Sequence, residues 1–385
     1  MSTMLEWVLW VCVAMILLVA VGYPMLLALS RPFARRTRVF DGSEPDVTLV
    51  IAAHNEEGTI AAKLQNCLEL RYPRDRLEIV VASDGSTDRT DEIVRSFAER
   101  GIILARFARI GKTGMQNRMA GRARGEILVF SDANASFRPD AIAKLVRHFA
   151  DPAVGGVCGQ LVYCVEKEGA GSSERLYWDY EKFMKVRESA LSSVVGANGS
   201  IYAVRRCDYV EIDDGLISDL VEPLALVRSG KRVVYEPEAI SVEDASTDYD
   251  IEFRRKVRIL TRGILGLLSM AALLNPFRYG VFSVQLIMHK LLRFATPAFL
   301  LGAAVALVSL VALGRYRALA LIVLAGVATA LGFGRRGGRQ NAFVKACHVL
   351  YYYLMVNYAL LLAWGNVLRG RHMKVWVPER KQSIS

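Results

Sequence analysis

The stretch GEILVFSDANASF, residues 125–137, decides the fold. An apolar segment, Ile127 to Phe130, runs straight into Ser131-Asp132-Ala133-Asn134. In an extended chain residues i and i+2 project to the same side, so Asp132 and Asn134 offer two oxygens to one point in space. A hard divalent cation takes ligands of that kind.

Working outward, two earlier segments end in the same manner. VTLVIAA (47–53) leads into His54-Asn55-Glu56-Glu57, and LEIVVAS (77–83) into Asp84-Gly85-Ser86-Thr87-Asp88. Polar helical stretches lie between them, one through Leu70 and one from Asp88 to Arg100. Strand, helix, strand at this spacing predicts a Rossmann-like α/β domain over residues 46–245, with a parallel sheet, helices on both faces, and the ligand at the carboxyl ends of the strands. Taken alone, Asp84-Gly85-Ser86 is a good turn and Thr87 or Asp88 a good helix cap. Three strands delivering acids to one edge shift the balance toward a site.

The 385 residues are 53% hydrophobic and carry a formal net charge of +11. Nucleic-acid binding would need a basic face interleaved with aromatics in a recognisable module, and none is present. The arginines instead bunch beside apolar runs (Arg31, Arg35, Arg36 and Arg38; Arg335, Arg336 and Arg339), which suits the cytoplasmic flanks of membrane helices and contact with membrane lipids. Trp7 to Leu29 is uncharged and long enough to cross a bilayer, which gives an N-terminal transmembrane helix within residues 1–30. Phe294–Gly314, Ala318–Gly334 and Ala346–Leu368 predict three more crossings within 294–368. Residues 246–293, with the short run Ile264–Leu274 and then Phe277–Arg293, read as amphipathic helices lying along the interface, and 369–385 as a tail. The expected location is the plasma (inner) membrane, multi-pass, with the α/β domain cytoplasmic. This count puts Arg369, Arg371 and Lys374 on the outer side, against the positive-inside tendency. Six cysteines without a CxxC pair or zinc spacing read as reduced residues.

The order H-N-E-E (54–57), D-G-S-T-D (84–88), G-K-x-x-x-x-N (Gly111, Lys112, Asn117), D-A-N (132–134) and G-A-N-G-S (196–200) resembles the membrane-integral family 2 glycosyltransferases, the cellulose, hyaluronan and poly-N-acetylglucosamine synthase group. The resemblance covers roughly residues 46–293. It implies a GT-A catalytic domain, a nucleotide-sugar donor of the UDP type, and a growing polysaccharide or lipid-linked glycan as acceptor. It also leaves room for accessory export or regulatory subunits. Single transfer to a lipid such as a polyprenyl phosphate or a ceramide-like acceptor, and a non-catalytic nucleotide-sugar sensor, stand as alternatives.

By the same resemblance, Asp84 binds the nucleotide, with Ala52, His54, Asn55 and Glu56 lining base and ribose, and Lys112 approaches the donor. Asp132 matches the first acid of the family's DxD motif, holding Mg²⁺ or Mn²⁺ on the diphosphate. Asn134 stands where that motif has its second acid, so the site loses a charge. The stretch Gly215 to Pro223 matches the family's base motif, which gives Asp219 as general base with Glu222 in reserve; on the residues alone, Ser218 or Asp219 is equally a helix cap. Arg258 matches the Arg of Q-x-x-R-W, without its Gln and Trp, which puts processive synthesis in doubt. Arg254 and Arg262 read as a lipid-facing basic pair. Gly196, Ala197, Asn198 and Gly199 form a loop close to the acceptor, where glycines allow backbone approach. Tyr177, Trp178 and Tyr180 read as packing residues on an amphipathic helix.

Overall fold

The computed structural model describes residues 2–35, 38–164, 171–244, 249–334 and 342–371, with backbone alone at 171–178 and 249. Arg36, Arg335, Arg336, Arg339, Lys374 and the rest of the tail, and the side chains of Tyr177 and Trp178, lie outside the described residues.

A long apolar helix, α1 (Ser2–Leu29), precedes the α/β part. There follow β1 (Val47–Ala53), α2 (Ile60–Leu68), β2 (Leu77–Asp84), α3 (Thr90–Arg95), β3 (Ile102–Phe107), α4 (Gly111–Ala120), β4 (Ile127–Asp132), β5 (Ser136–Phe137) and α5 (Ala141–Val146). The second half contributes β6 (Val154–Cys164), α6 (Gly171–Leu191), β7 (Tyr202–Arg205), α7 (Ser218–Arg228) and β8 (Arg232–Asp244). All eight strands join one sheet in the order β3-β2-β1-β4-β7-β6-β8-β5. The four strands β1 to β4 are mutually parallel, and the direction changes where β4 meets β7 antiparallel.

The parallel half has a sequence cause. Strands covered on both faces are apolar throughout rather than alternating, and all seven residues of β1 are buried. Register then aligns the strand tips, because Ala52 lies opposite both Ala82 and Asp132. The acids that follow β1, β2 and β4 therefore emerge on one edge, as the opening stretch predicts.

One glycine is dictated by close approach. A Cβ added at Gly125, just before β4, would stand 2.6 Å from the carbonyl carbon of Val47. Gly125→Ala therefore pushes β4 away from β1, and we expect a loss of about 1–3 kcal/mol, read as a lower melting temperature of the purified protein.

The rest of the chain is helical: α8 (Tyr249–Ser269), α9 (Val281–Ala312), α10 (Arg317–Phe333) and α11 (Ala342–Leu368). By length and composition α1, α9 and α11 are apolar enough to cross a membrane, while α10, with 17 residues, is shorter. One expectation is corrected in its bounds. Residues 281–293 do not form a separate surface helix; they are the first turns of a continuous 32-residue helix, α9. The charges His289, Lys290 and Arg293 that suggested an interfacial segment face inward, toward the α/β part, where acids meet the first and last of them. Trp7, Val308 and Leu321 are each about 70% exposed (70%, 69% and 67%), the outward apolar surface expected of helices in hydrocarbon.

Helices and sheet share a core. Leu360 and Ala363 of α11 pack with Leu220 and Val221 of α7 and Ile264 of α8. Tyr23 and Leu27 of α1 pack on Met184 of α6. The element carrying Asp219 is thus held directly against the apolar helices.

Candidate functional site

The site grows from the end of β4. Lys112, in the first turn of α4, directs its ammonium onto Asp132 Oδ1 and onto the carbonyl oxygen of Gly199, the latter at 3.0 Å. Gly199 belongs to the loop entering β7. A Cβ at this glycine would stand 2.7 Å from Asp219 Oδ2 and 3.2 Å from Lys112 Nζ, so any larger residue would displace these two side-chain ends. The same loop is tied to α7, since the Ala197 N–H donates to the Asp219 carbonyl oxygen at 2.7 Å. Lys112, Asp132, Gly199 and Asp219, which lie far apart in sequence, meet at one place.

Burial pushes the Asp219 carboxyl above its ordinary range, against the pull of the Lys112 ammonium, and the neighbouring Asp132 charge adds to the rise. A carboxylate raised in this way is a better proton acceptor than a free one. Arg262 fixes the segment leading into α7: it is 9% exposed and donates to the carbonyl oxygens of Gly215 at 3.2 Å and Leu216 at 2.5 Å. The lipid-facing reading of Arg262 is therefore corrected, because its guanidinium is occupied by buried backbone.

Asn134 contributes an unforeseen partner. Its Nδ2 donates to Glu243 Oε2 of β8 at 3.2 Å. Burial and then Asp132 push the Glu243 carboxyl up, while Arg255 pulls it down. The charge absent at position 134 is thus supplied from another strand. Asp132, Glu243 and the Asn134 amide fit a hard divalent cation by ligand chemistry. Among the described residues no three His, Cys, Asp or Glu side chains gather at a point. A cation here would take its remaining oxygens from a diphosphate and water.

The second set of predicted residues sits on the tips of β1 and β2. His54 Nδ1 lies 2.8 Å from the Asp84 carbonyl oxygen. Asn55 adopts a left-handed φ of 52° and accepts from the Thr87 N–H at 2.8 Å. Glu56 accepts from Thr59 Oγ1 at 2.7 Å. Asp84, fully buried, accepts from the N–H groups of Ile110 at 2.7 Å and Gly111 at 3.1 Å, and from Arg109 at 2.9 Å. In this structure Asp84 therefore anchors the loop that presents Lys112. Ala52, 7% exposed, closes the floor of β1.

A cavity of about 580 Å³ opens from Asp132, Gly196–Gly199, Asp219 and Glu243. From α8 it is lined by Arg255, Lys256 and Ile259 but not by Arg258. On a helix turning ~100° per residue, Arg258 falls on the other side of Arg255 from Lys256 and Ile259, well off that face. The arginine of α8 that lines the cavity is Arg255, three residues before the position of the motif match. Lys185, which hydrogen-bonds Asn198 Oδ1, also lines it. No spacing signal marked Glu243, Arg255 or Lys185, since sheet pairing and helix rotation bring them in.

Glu222, the reserve base, does not line the cavity. It is 1% exposed, accepts from the Val210 N–H at 3.2 Å with Oε1, and leaves Oε2 without a hydrogen bond among the described residues. Burial pushes it up to about 8, against an ordinary 4.5. Between those values the folded chain holds a proton that the unfolded chain has lost, so folding stability falls as pH rises. Glu222→Gln, which keeps the acceptor oxygen, is expected to stabilise the protein at pH 8 by roughly 1–4 kcal/mol. The gain should be small by about pH 5. Melting curves at the two pH values check it; an equal gain at both would mean that Glu222 is not buried protonated.

The geometry can be set beside known proteins. The glycosyl transferase family 2 profile matches residues 48–212. An N-acetylglucosaminyltransferase of Rhizobium leguminosarum bv. trifolii is 31% identical over 132 residues, covering 32% of this chain and 71% of the relative. The chain belongs to glycosyl transferase family 2. A beta-monoglucosyldiacylglycerol synthase of Synechocystis sp. is 33% identical over 118 residues, which is 29% of this family 2 chain and 25% of that protein. The match thus spans about a quarter of that relative's length. Among solved structures, a mannosyltransferase from Pyrobaculum calidifontis in complex with GDP-Man and Mn2+ superposes with a TM-score of 0.72 at 24% identity, covering 94% of this chain and 99% of that one. The family 2 chain therefore has the GT-A fold along with a similar helical surround.

Proposed function

We propose that this protein is an inverting, metal-dependent glycosyltransferase that moves a sugar from a nucleotide-sugar donor, with a UDP-sugar as first candidate, to a glycan or lipid-linked glycan at the membrane. The observation that carries the reading is the meeting of Asp219 with Lys112 and Asp132 at the mouth of a cavity that runs on among apolar helices. Asp219 takes the proton of the acceptor hydroxyl as its oxygen attacks the anomeric carbon. Asp132, Glu243 and Asn134 would hold Mg²⁺ or Mn²⁺, which supplies Lewis-acid neutralisation of the departing diphosphate. Arg255 and Lys256, which share the Glu252 carboxylate, stand as cations on that side. Inversion is the expected course because Asp219 stands as the base, while Asp132 and Glu243 stand with the cation and the cavity's Glu181 and Glu252 are held in ion pairs. The arginines that follow α1 support a cytoplasmic catalytic domain.

The test is direct. Purified protein is screened with UDP-glucose, UDP-N-acetylglucosamine and GDP-mannose, with Mn²⁺ or Mg²⁺. One donor is expected to raise the melting temperature and to release nucleoside diphosphate when acceptor is present. Donor binding with no release under any condition would replace the enzyme reading with that of a sensor.

A further inference from the structure

The cavity that begins at Asp219 does not end in the catalytic domain. It continues between α1, at Ile16, Val19 and Ala20, and α11, at Val349, Val356 and Leu360. A water-soluble sugar gains nothing from such walls, whereas a hydrocarbon chain gains about 0.8 kcal/mol for each CH₂ it buries.

Where the apolar walls meet the catalytic domain, cations line the cavity. Arg293 is paired with Glu181, and Lys185 is bonded to Asn198. Lys290 is different: it lines the cavity from α9 and has no hydrogen bond or ion pair among the described residues. Glu181 and Glu188 are near enough to act on its charge but do not bond it, and an ammonium on a membrane helix with no bonded partner marks the path of a charged ligand. A second unmatched group lies deeper. Asn357 of α11 is 7% exposed and lines the cavity; its Nδ2 donates to the Tyr353 carbonyl oxygen at 2.9 Å, while its Oδ1 accepts no hydrogen bond among the described residues.

The backbone of both walls is also irregular at this level. A π-helical turn at Leu18–Gly22 carries Val19 and Ala20, and another at Ile287–Leu291 carries His289 and Lys290. Wide turns of this type, which cost hydrogen-bond quality, gather at functional sites. Here they place Lys290 and the α1 wall around the same space.

We propose that the acceptor is an anionic lipid whose headgroup carries a free hydroxyl beside a phosphate. Its hydrocarbon lies between α1 and α11, its phosphate on Lys290 next to Arg293, and its hydroxyl at Asp219. The proposal rests on the glycosyl-transfer reading of the same site. In the step, the headgroup oxygen bonds to the anomeric carbon, and the bond from that carbon to the diphosphate oxygen breaks with its electron pair leaving on the diphosphate. The hydroxyl proton goes to Asp219. A glycerophospholipid and a polyprenyl-diphosphate sugar share this chemistry. A neutral lipid leaves the Lys290 ammonium without a bonded partner, and a free glycan leaves the apolar walls unmatched.

The full chain is reconstituted in phosphatidylcholine nanodiscs doped with phosphatidylglycerol, with an undecaprenyl-diphosphate sugar, or with diacylglycerol, and is supplied with the sugar-labelled donor that stabilises it. Label is expected in one of the two anionic arms, which identifies the source, at about tenfold or more the rate with diacylglycerol. Lys290→Met should raise KM for the anionic lipid by about tenfold or more, and Lys290→Arg should restore most of it, while the donor still stabilises both variants. Faster labelling of diacylglycerol or of a soluble product, or an unchanged KM in Lys290→Met, overturns the anionic-lipid acceptor and leaves glycosyl transfer standing. Comparing the arms in the unmodified protein separates these outcomes even if the variants fail to fold. Donor binding with no diphosphate release in any arm overturns glycosyl transfer, and this proposal with it.

Discussion

Asp219→Asn is expected to lower sugar transfer by about 10³-fold or more while leaving donor affinity within about twofold. The substitution keeps the shape of the side chain and the backbone bond from the Ala197 N–H to the Asp219 carbonyl oxygen, so the loop at Gly196–Gly199 stays in place. What it removes is the ability to take a proton. The parent should also show an acid limb in its rate, because transfer requires the ionised carboxylate. Burial raises Asp219 above the ordinary range near 3.9, so that limb lies at higher pH than for a free aspartate. Initial rates across about pH 5 to 9 read both effects. An Asn variant that turns over at the parent rate would place the base elsewhere. Glu222 would not inherit the role, since it faces away from the cavity and is protonated up to about 8.

The first half of the sheet was legible because its signal is local. β1, β2 and β4 are short apolar runs, each ending in acids or amides, and the parallel register that aligns Ala52 with Asp132 follows from that pattern. The family motifs carried Asp132, Lys112 and Asp219 to one place for the same reason, as each sits at the end of a recognisable element. Glu243 was not legible. It lies near the end of an ordinary alternating strand, and the antiparallel pairing of the two-residue β5 with β8, which sets Ser136 opposite Val242, carries it to Asn134. Arg255 was missed for a smaller reason: a basic run on a helix shows which residues are charged, but its rotation against the sheet selects Arg255 over Arg258. Motif reading gave Asp84 a ligand role and was silent on its hold on the chain, where it accepts the N–H groups of Ile110 and Gly111. The membrane side was read from hydropathy alone, which finds lengths well and inward-facing charges poorly; His289, Lys290 and Arg293 looked like an interface and proved to be cavity wall and buried ion pair.

Asp132→Ala is expected to weaken metal-dependent donor binding by about 10²-fold, and Glu243→Gln by about tenfold, because cation affinity follows the number and charge of the carboxylates around it. The order matters more than the size. Asp132 ends β4 and also holds Lys112, whereas Glu243 reaches the same point through Asn134. Asn134→Asp tests the argument from the opposite direction. It restores the second acid but sets two carboxylates against each other where an amide now donates to Glu243 Oε2 at 3.2 Å. Without metal, like charges at that distance disfavour each other's ionised form, so the variant should melt below the parent. With Mn²⁺ and donor the repulsion becomes ligation, and the variant should bind the cation about tenfold more tightly and recover its stability. Melting temperatures measured with chelator, with Mn²⁺, and with Mn²⁺ plus donor separate these outcomes. Equal metal affinity in all four proteins would show that the cation is not held by Asp132 and Glu243, and would leave Asn134 as a plain structural amide.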